Sequence, residues 1–147
     1  MDLRVRAVRD GDVEWVAELK AAVMRDDLER LGRYDHHRAR QLIRDSFGGE
    51  HSRVIEAGGE PVGSLTVRPA RGGLVLEHFY LDAAHQGRGI GTRILEGVLA
   101  RADAEGAEVR LTVLLGSAAR GLYERYGFTV EAQDPVDVHM VRAAAAR

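Results

Sequence analysis

The stretch Ala83 to Leu95, "AAHQGRGIGTRIL", constrains the fold more than any other part of this chain. Gly87, Gly89 and Gly91 stand two apart, after an apolar run and before a helix-like one. The run before them, Leu74 to Leu81, has the length of a strand and the Val, Phe and Tyr content of one. After them, Ile94, Leu95, Val98, Leu99 and Ala102 recur at helical spacing until Gly106. A strand that feeds a glycine turn and then an amphipathic helix commits the chain to an α/β architecture. Such a turn is either a plain reversal or a place where backbone N–H groups at the head of a helix face one anion.

The rest of the sequence supplies the other layers. Leu3, Val5 and Ala7 alternate with arginines as a strand does. Asp10 to Asp12 offers capping residues for a helix carrying Val13, Val16, Leu19 and Val23. Asp26 to Tyr34 is heavily charged, is broken by Gly32, and reads as a connection between helices. Asp35 caps a second helix with Ala39, Leu42, Ile43 and Phe47 on its apolar side, ended by Gly48-Gly49. Arg53 to Ala57 and Pro61 to Val67 form a hairpin through Gly58-Gly59, and Pro69 to Gly73 reads as a loop. Val109 to Leu115 is a strand, Ala118 to Tyr126 a helix that Ser117 can cap, and Phe128 to Val130 and Val136 to Arg142 resume extended structure. Ala143 to Arg147 is expected to fray. The expectation is one α/β domain over 1–147, with a mixed, mostly antiparallel central sheet of six to seven strands flanked by about four helices.

Composition narrows the function classes. The 147 residues carry 21 basic and 23 acidic side chains, a net charge of −2, so nothing advertises nucleic acid or an anionic membrane as partner. There is no cysteine, which excludes disulfides, thiolate metal sites and a cysteine nucleophile. Neither a signal-like apolar N-terminus nor a run of about 20 apolar residues is present, so a cytoplasmic location is expected. His36 and His37 are adjacent and point to different helix faces, and His85 lacks a spaced partner, so no metal set is expected. Lys20 is the only lysine, so an arginine at any given place is read first as general usage.

Within the glycine stretch, an ATP-type phosphate loop fails because no Lys-Ser/Thr pair follows. A dinucleotide turn would need its third glycine at Thr92 and an acid where the chain has Leu114-Leu115-Gly116. Arg88 and the Thr92 hydroxyl could add donors to the backbone N–H groups, and a pyrophosphate fits that arrangement.

Gln86-Gly87-Arg88-Gly89-Ile90-Gly91, preceded by Phe79-Tyr80-Leu81, resembles the acetyl-CoA loop of the GNAT superfamily of N-acetyltransferases, Q/R-x-x-G-x-G/A. Ala119 to Phe128, "ARGLYERYGF", is similar to the later family motif A-x-x-x-Y-x-x-x-G-F, and Leu3 to Leu19 looks like the family's opening strand and helix. The likeness covers most of the chain. It implies acetyl-CoA as co-substrate, held by Phe79, Leu81, Gln86, Gly87, Arg88, Gly89, Ile90, Gly91 and Thr92, and an amine acceptor that attacks the thioester directly. It also implies the Leu81 N–H as oxyanion donor and Tyr123, rather than Tyr126, as the acid facing the CoA sulfur. One departure is Gly116, where the family often has Asn; Ser117 is the replacement contact, although capping is its more ordinary role. The base must take a proton from an alkylammonium of pKa near ~10. Alternation puts Val75, Glu77, Phe79 and Leu81 on one face of the strand, and His78 and Tyr80 on the other. Glu77 is then the candidate base, directly or through water, with His78 as the alternative. A small-molecule amine is the expected acceptor. A protein amine, a non-catalytic acyl-CoA-binding module and a homodimer stay open. Met24 to Arg38 mixes both charges and does not name the acceptor.

Overall fold

A computed structural model describes residues 2–145. The chain order is β1 (Leu3–Ala7), α1 (Asp12–Arg30), α2 (His36–Ser46), β2 (Ser52–Ala57), β3 (Glu60–Ala70), β4 (Gly73–Leu81), a short 3-10 turn (Ala83–His85), α3 (Ile90–Glu105), β5 (Val109–Leu114), α4 (Ala119–Arg125), β6 (Thr129–Gln133) and β7 (Asp137–Arg142). The seven strands form one mixed sheet in the order β1-β2-β3-β4-β5-β7-β6. The β4–β5 pair is parallel, as a strand–helix–strand unit requires, whereas β1–β2, β2–β3, β5–β7 and β6–β7 are antiparallel. Of the tail expected to fray, Ala143–Ala145 lack regular structure, and 146–147 lie outside the described residues.

Two sequence expectations are corrected. The charged stretch after Val23 is helix as far as Arg30, not a connection. Its charges support the helix: Arg25 pairs with Glu29 one turn on at 2.6 Å, and Arg30 with Asp27 at 3.1 Å. Likewise, Pro69 to Ala70 belong to β3, because Arg71 (φ 53°) and Gly72 (φ 77°) make a left-handed two-residue turn straight into β4. Arginine is an uncommon residue at positive φ, so no turn dipeptide announced the hairpin.

By its internal contacts the chain divides into two compact units, Met1–Thr66 with His78–Gly91, and Val67–Glu77 with Thr92–Arg147. In the first, Val16 and Ala17 of α1 and Ile43 and Phe47 of α2 form a buried cluster, with Val8, Val13, Trp15 and Tyr80 packed on it. Asp35 caps α2 as expected, its carboxylate accepting from the N–H groups of His37 and Arg38 at 2.9 Å. In the second unit, Leu95, Leu99, Ala102, Val109, Leu111, Phe128, Val138 and Met140 are buried. Arg142 ties β7 down there, donating to Asp103 at 2.9 Å and to the Tyr126 carbonyl at 3.0 Å. No helix among the described residues is long and apolar enough to cross a membrane.

Candidate functional site

The glycine stretch is built from its backbone. Asp82 caps the short turn, accepting from the His85 N–H at 3.0 Å and meeting His85 Nδ1 at 2.6 Å. Gln86 reaches back to donate to the Leu81 carbonyl at 3.0 Å, fixing the loop to the end of β4. Gly87 (φ 76°) and Gly89 (φ 78°) are left-handed, a conformation that costs an L side chain ~1–2 kcal/mol. The helix then starts at Ile90, so Gly91 and Thr92 lie in its first turn. The first turn's N–H groups have no intrahelical acceptors, and no acidic residue occupies that turn. Ile90 is 1% exposed, its side chain held in the core. Gly87, Arg88 and Gly89 are exposed, and neither Arg88 nor Arg93 forms an ion pair among the described residues.

Phe79 and Leu81 approach this turn. A Cβ on Gly91 would stand 3.5 Å from the Leu81 side chain and 4.0 Å from the Phe79 ring. Behind them is Gly63, which the sequence reading passed over. A Cβ there would run into the Tyr80 carbonyl and lie 2.8 Å from the Leu81 side chain. An isolated glycine inside a strand pattern was the available signal.

β4 is kinked at His78, which is left-handed (φ 52°). Leu74 and Leu76 are buried and Val75 and Glu77 half-buried, one alternation. Beyond the kink, Phe79 and Leu81 turn to Gly91, whereas His78 and Tyr80 turn to the Phe47 cluster. Ser64 Oγ donates to the His78 carbonyl at 2.8 Å and supports the kink. His78 Nε2 lies 2.9 Å from Ser46 Oγ, and the Ser46 hydroxyl proton goes to the Leu42 carbonyl, so Nε2 is the donor.

Glu77 itself, in the second unit, is ion-paired. Arg68 Nε meets Oε1 at 2.6 Å, and Nη2 is a looser 3.4 Å from Oε2. Arg68 was not singled out by sequence, because its strand was read as ending at Val67. Tyr123 is 7% exposed, its ring edge-on to Phe128 at 5.5 Å. Its hydroxyl makes no hydrogen bond among the described residues, and burial pushes the phenol up to about 12. Tyr126 instead donates to Glu96 at 3.3 Å. The N-cap of α4 is Ala118, without a side-chain cap, so Ser117 does not cap the helix as expected; its Oγ instead accepts from the Ala119 N–H at 3.2 Å, which leaves its proton available to a ligand. A cleft of about 590 Å³ at the β1–α1 turn of the first unit, lined by Val8, Arg9, Gly11, Gly49 and Arg53, contains none of these residues.

Residues 23–143 match the family described as acetyltransferase (GNAT) domain. The chain belongs to the GNAT acetyltransferase family. No curated protein matches it in sequence. Solved structures share its fold. PaiA N-acetyltransferase from Thermoplasma acidophilum, in complex with coenzyme A, is 20% identical at a TM-score of 0.76, over 97% of this chain and 99% of that one. Ard1 from Thermoplasma volcanium is 20% identical at 0.73, over 99% and 100%. The ribosomal-protein-S18-alanine N-acetyltransferase from Escherichia coli is 16% identical at 0.70, over 99% and 97%. This GNAT enzyme is an N-acetyltransferase by family.

Proposed function

We propose that this GNAT chain, acting over 1–147 as one cytoplasmic acetyltransferase domain, moves the acetyl group of acetyl-CoA to the primary amine of a small molecule. The observation that carries the co-substrate is the start of α3: left-handed glycines open its N–H groups, and no acid fills the first turn. The pyrophosphate is held there by Gly87, Gly89, Ile90 and Gly91 through backbone, with Arg88 and Thr92 adding donors. Gln86 holds the turn in place, Phe79 and Leu81 pack along the pantetheine, and Ser117 donates to it. The CoA complex of the Thermoplasma PaiA fold supports the same co-substrate.

Chemistry follows from the thioester. The acceptor arrives as an ammonium and must shed a proton before its nitrogen can attack. Glu77 takes that proton through a water, with Oε2 as the accepting atom because Oε1 is held by Arg68. The nitrogen bonds to the carbonyl carbon, and the Leu81 N–H receives the oxyanion. The C–S bond then breaks, and the second proton of the former ammonium ends on the sulfur. Tyr123 serves that step as a hydrogen-bond donor to the developing thiolate. A phenol raised to about 12 does not surrender its proton to a thiolate whose acid has a pKa of about 8.5. His78 is the less suited base, since its Nε2 is donating to Ser46.

Acetyl-CoA is expected to raise the melting temperature and NAD to leave it unchanged; the reverse ranking overturns the assignment. A CoA-release panel of small amines, with N-terminal alanine peptides alongside, reads the acceptor class. Tyr123→Phe is expected to lower kcat by about 100-fold while CoA affinity holds. An unchanged kcat removes its role.

A further inference from the structure

His78 holds a left-handed backbone, φ 52°, inside β4. That conformation costs an L side chain ~1–2 kcal/mol, and glycine would adopt it freely. A histidine at the kink is therefore accounted for by what its ring does. Its Nε2 donates at 2.9 Å to Ser46 Oγ, on the last residue of α2. The ring also stands edge-on to the buried Phe47 ring, with centroids 6.0 Å apart. The Ser46 hydroxyl proton is committed to the Leu42 carbonyl one turn back, at 2.6 Å, so its oxygen can only accept. The two hydrogen bonds run in one direction, from the imidazole through the hydroxyl into the helix.

The backbone that follows leads to the glycine turn. Ser64 Oγ donates to the His78 carbonyl at 2.8 Å, and the Tyr80 carbonyl rests against Gly63, where no Cβ fits. The Asp82 N–H donates to the Val62 carbonyl at 2.9 Å, so the Asp82 peptide faces β3 and the Leu81 peptide, one residue earlier, faces away from it. On that far side Gln86 Nε2 donates to the Leu81 carbonyl at 3.0 Å. The N–H and carbonyl of one extended residue share an edge of the strand, so the Leu81 N–H opens to the side that Gln86 occupies. Only Phe79 and Tyr80 separate it from the kink, and a change of backbone angle at His78 is carried to it.

We propose that Ser46 is a positioning residue for acetyl transfer: through the His78 ring it fixes the kink of β4 and so aims the Leu81 N–H at the oxyanion. This rests on the acetyltransferase reading above and adds to it a residue of α2 that acts through another side chain. An oxyanion donor works over a narrow range, since a hydrogen bond weakens steeply once its distance or angle is lost. Ser64 holds the carbonyl of the kink and Ser46 holds its ring. With Ser46 gone, the histidine relaxes toward ordinary strand angles and takes the Leu81 N–H with it.

Tyr80-Leu81 is the only Tyr-Leu pair in the chain, so labelling tyrosine at the carbonyl carbon and leucine at the nitrogen gives one coupled amide resonance, that of Leu81. Ser46→Ala is expected to move that resonance with no ligand present. It is also expected to lower kcat by about 10- to 100-fold while the calorimetric Kd for CoA holds. Ser46→Thr, which keeps the hydroxyl, is expected to restore both the resonance and kcat. His78→Gly keeps the left-handed backbone without the ring and is expected to lose kcat as Ser46→Ala does, and adding Ser46→Ala to it is expected to cost nothing more. A Leu81 resonance that stays in place in Ser46→Ala, an unchanged kcat, or losses that add in the double variant overturn the proposal. Failure of the acetyltransferase reading shows separately, as acetyl-CoA that leaves the Leu81 resonance and the melting temperature unmoved while Ser46→Ala still displaces the resonance.

Discussion

Helices α1 and α3 begin alike in backbone and opposite in charge. A left-handed glycine precedes each, Gly11 at φ 89° and Gly89 at φ 78°. At the head of α1, Asp12 and Glu14 sit in the first turn. Asp12 accepts from the Arg9 N–H at 2.6 Å and from Arg6 at 2.7 Å, and Arg6 also holds Glu56 at 2.6 Å. That end is complete in itself although it borders the 590 Å³ cleft. The head of α3 has no acid in its first turn, and Arg88 before it has no ion pair. The contrast teaches that neither a glycine turn nor a cleft makes an anion seat. What matters is whether the chain has already answered the helix's positive end with its own carboxylates.

The largest test of this contrast is Gly89→Glu, which gives α3 the acid that α1 already has and forces a side chain into left-handed backbone. CoA affinity measured by calorimetry is expected to fall by about 100-fold or more; binding kept at the wild-type level would make the loop a plain turn. Asp12→Asn strips the acid from the other end. It is expected to cost about 2 kcal/mol in urea unfolding at neutral pH and to leave CoA affinity alone. The sign with pH is set. The Arg6 hydrogen bond holds the Asp12 carboxyl below its ordinary value. Its stabilisation is thus complete above the unfolded value of about 4 and is lost as pH falls through the folded value, where variant and wild type converge. The smallest effect separates the arginines. Arg88→Ala is expected to weaken CoA by about two- to fivefold, with a shallower salt dependence, whereas Arg9→Ala at the α1 end changes nothing. No change with Arg88→Ala would assign it to the general use of arginine in this chain.

Much of the fold was legible because it is written locally. Asp35 before an amphipathic run, Gly58-Gly59 between two strand-like runs, and the strand–glycine–helix order each depend on a few consecutive residues, and each appears where expected. The extension of α1 through Arg25–Arg30 was missed because charge density looks like loop until i,i+4 pairing is counted. The kink at His78 was missed because nothing in "LEHFYL" asks a histidine to be left-handed; Ser64 and Ser46, distant in sequence, hold it.

The sequence by itself determined the order of strands and helices, the two motifs that mark a GNAT enzyme, and the turns that only glycine makes easily. Those depend on backbone sterics and side-chain period, which neighbouring residues settle among themselves. Tertiary structure decided which charges are spent. Glu18 with Arg40, Glu14 with Arg44, Arg6 with Glu56 and Arg68 with Glu77 join residues on different elements. A charge is neutralised by whatever folds next to it, and composition cannot say which cations will be left over.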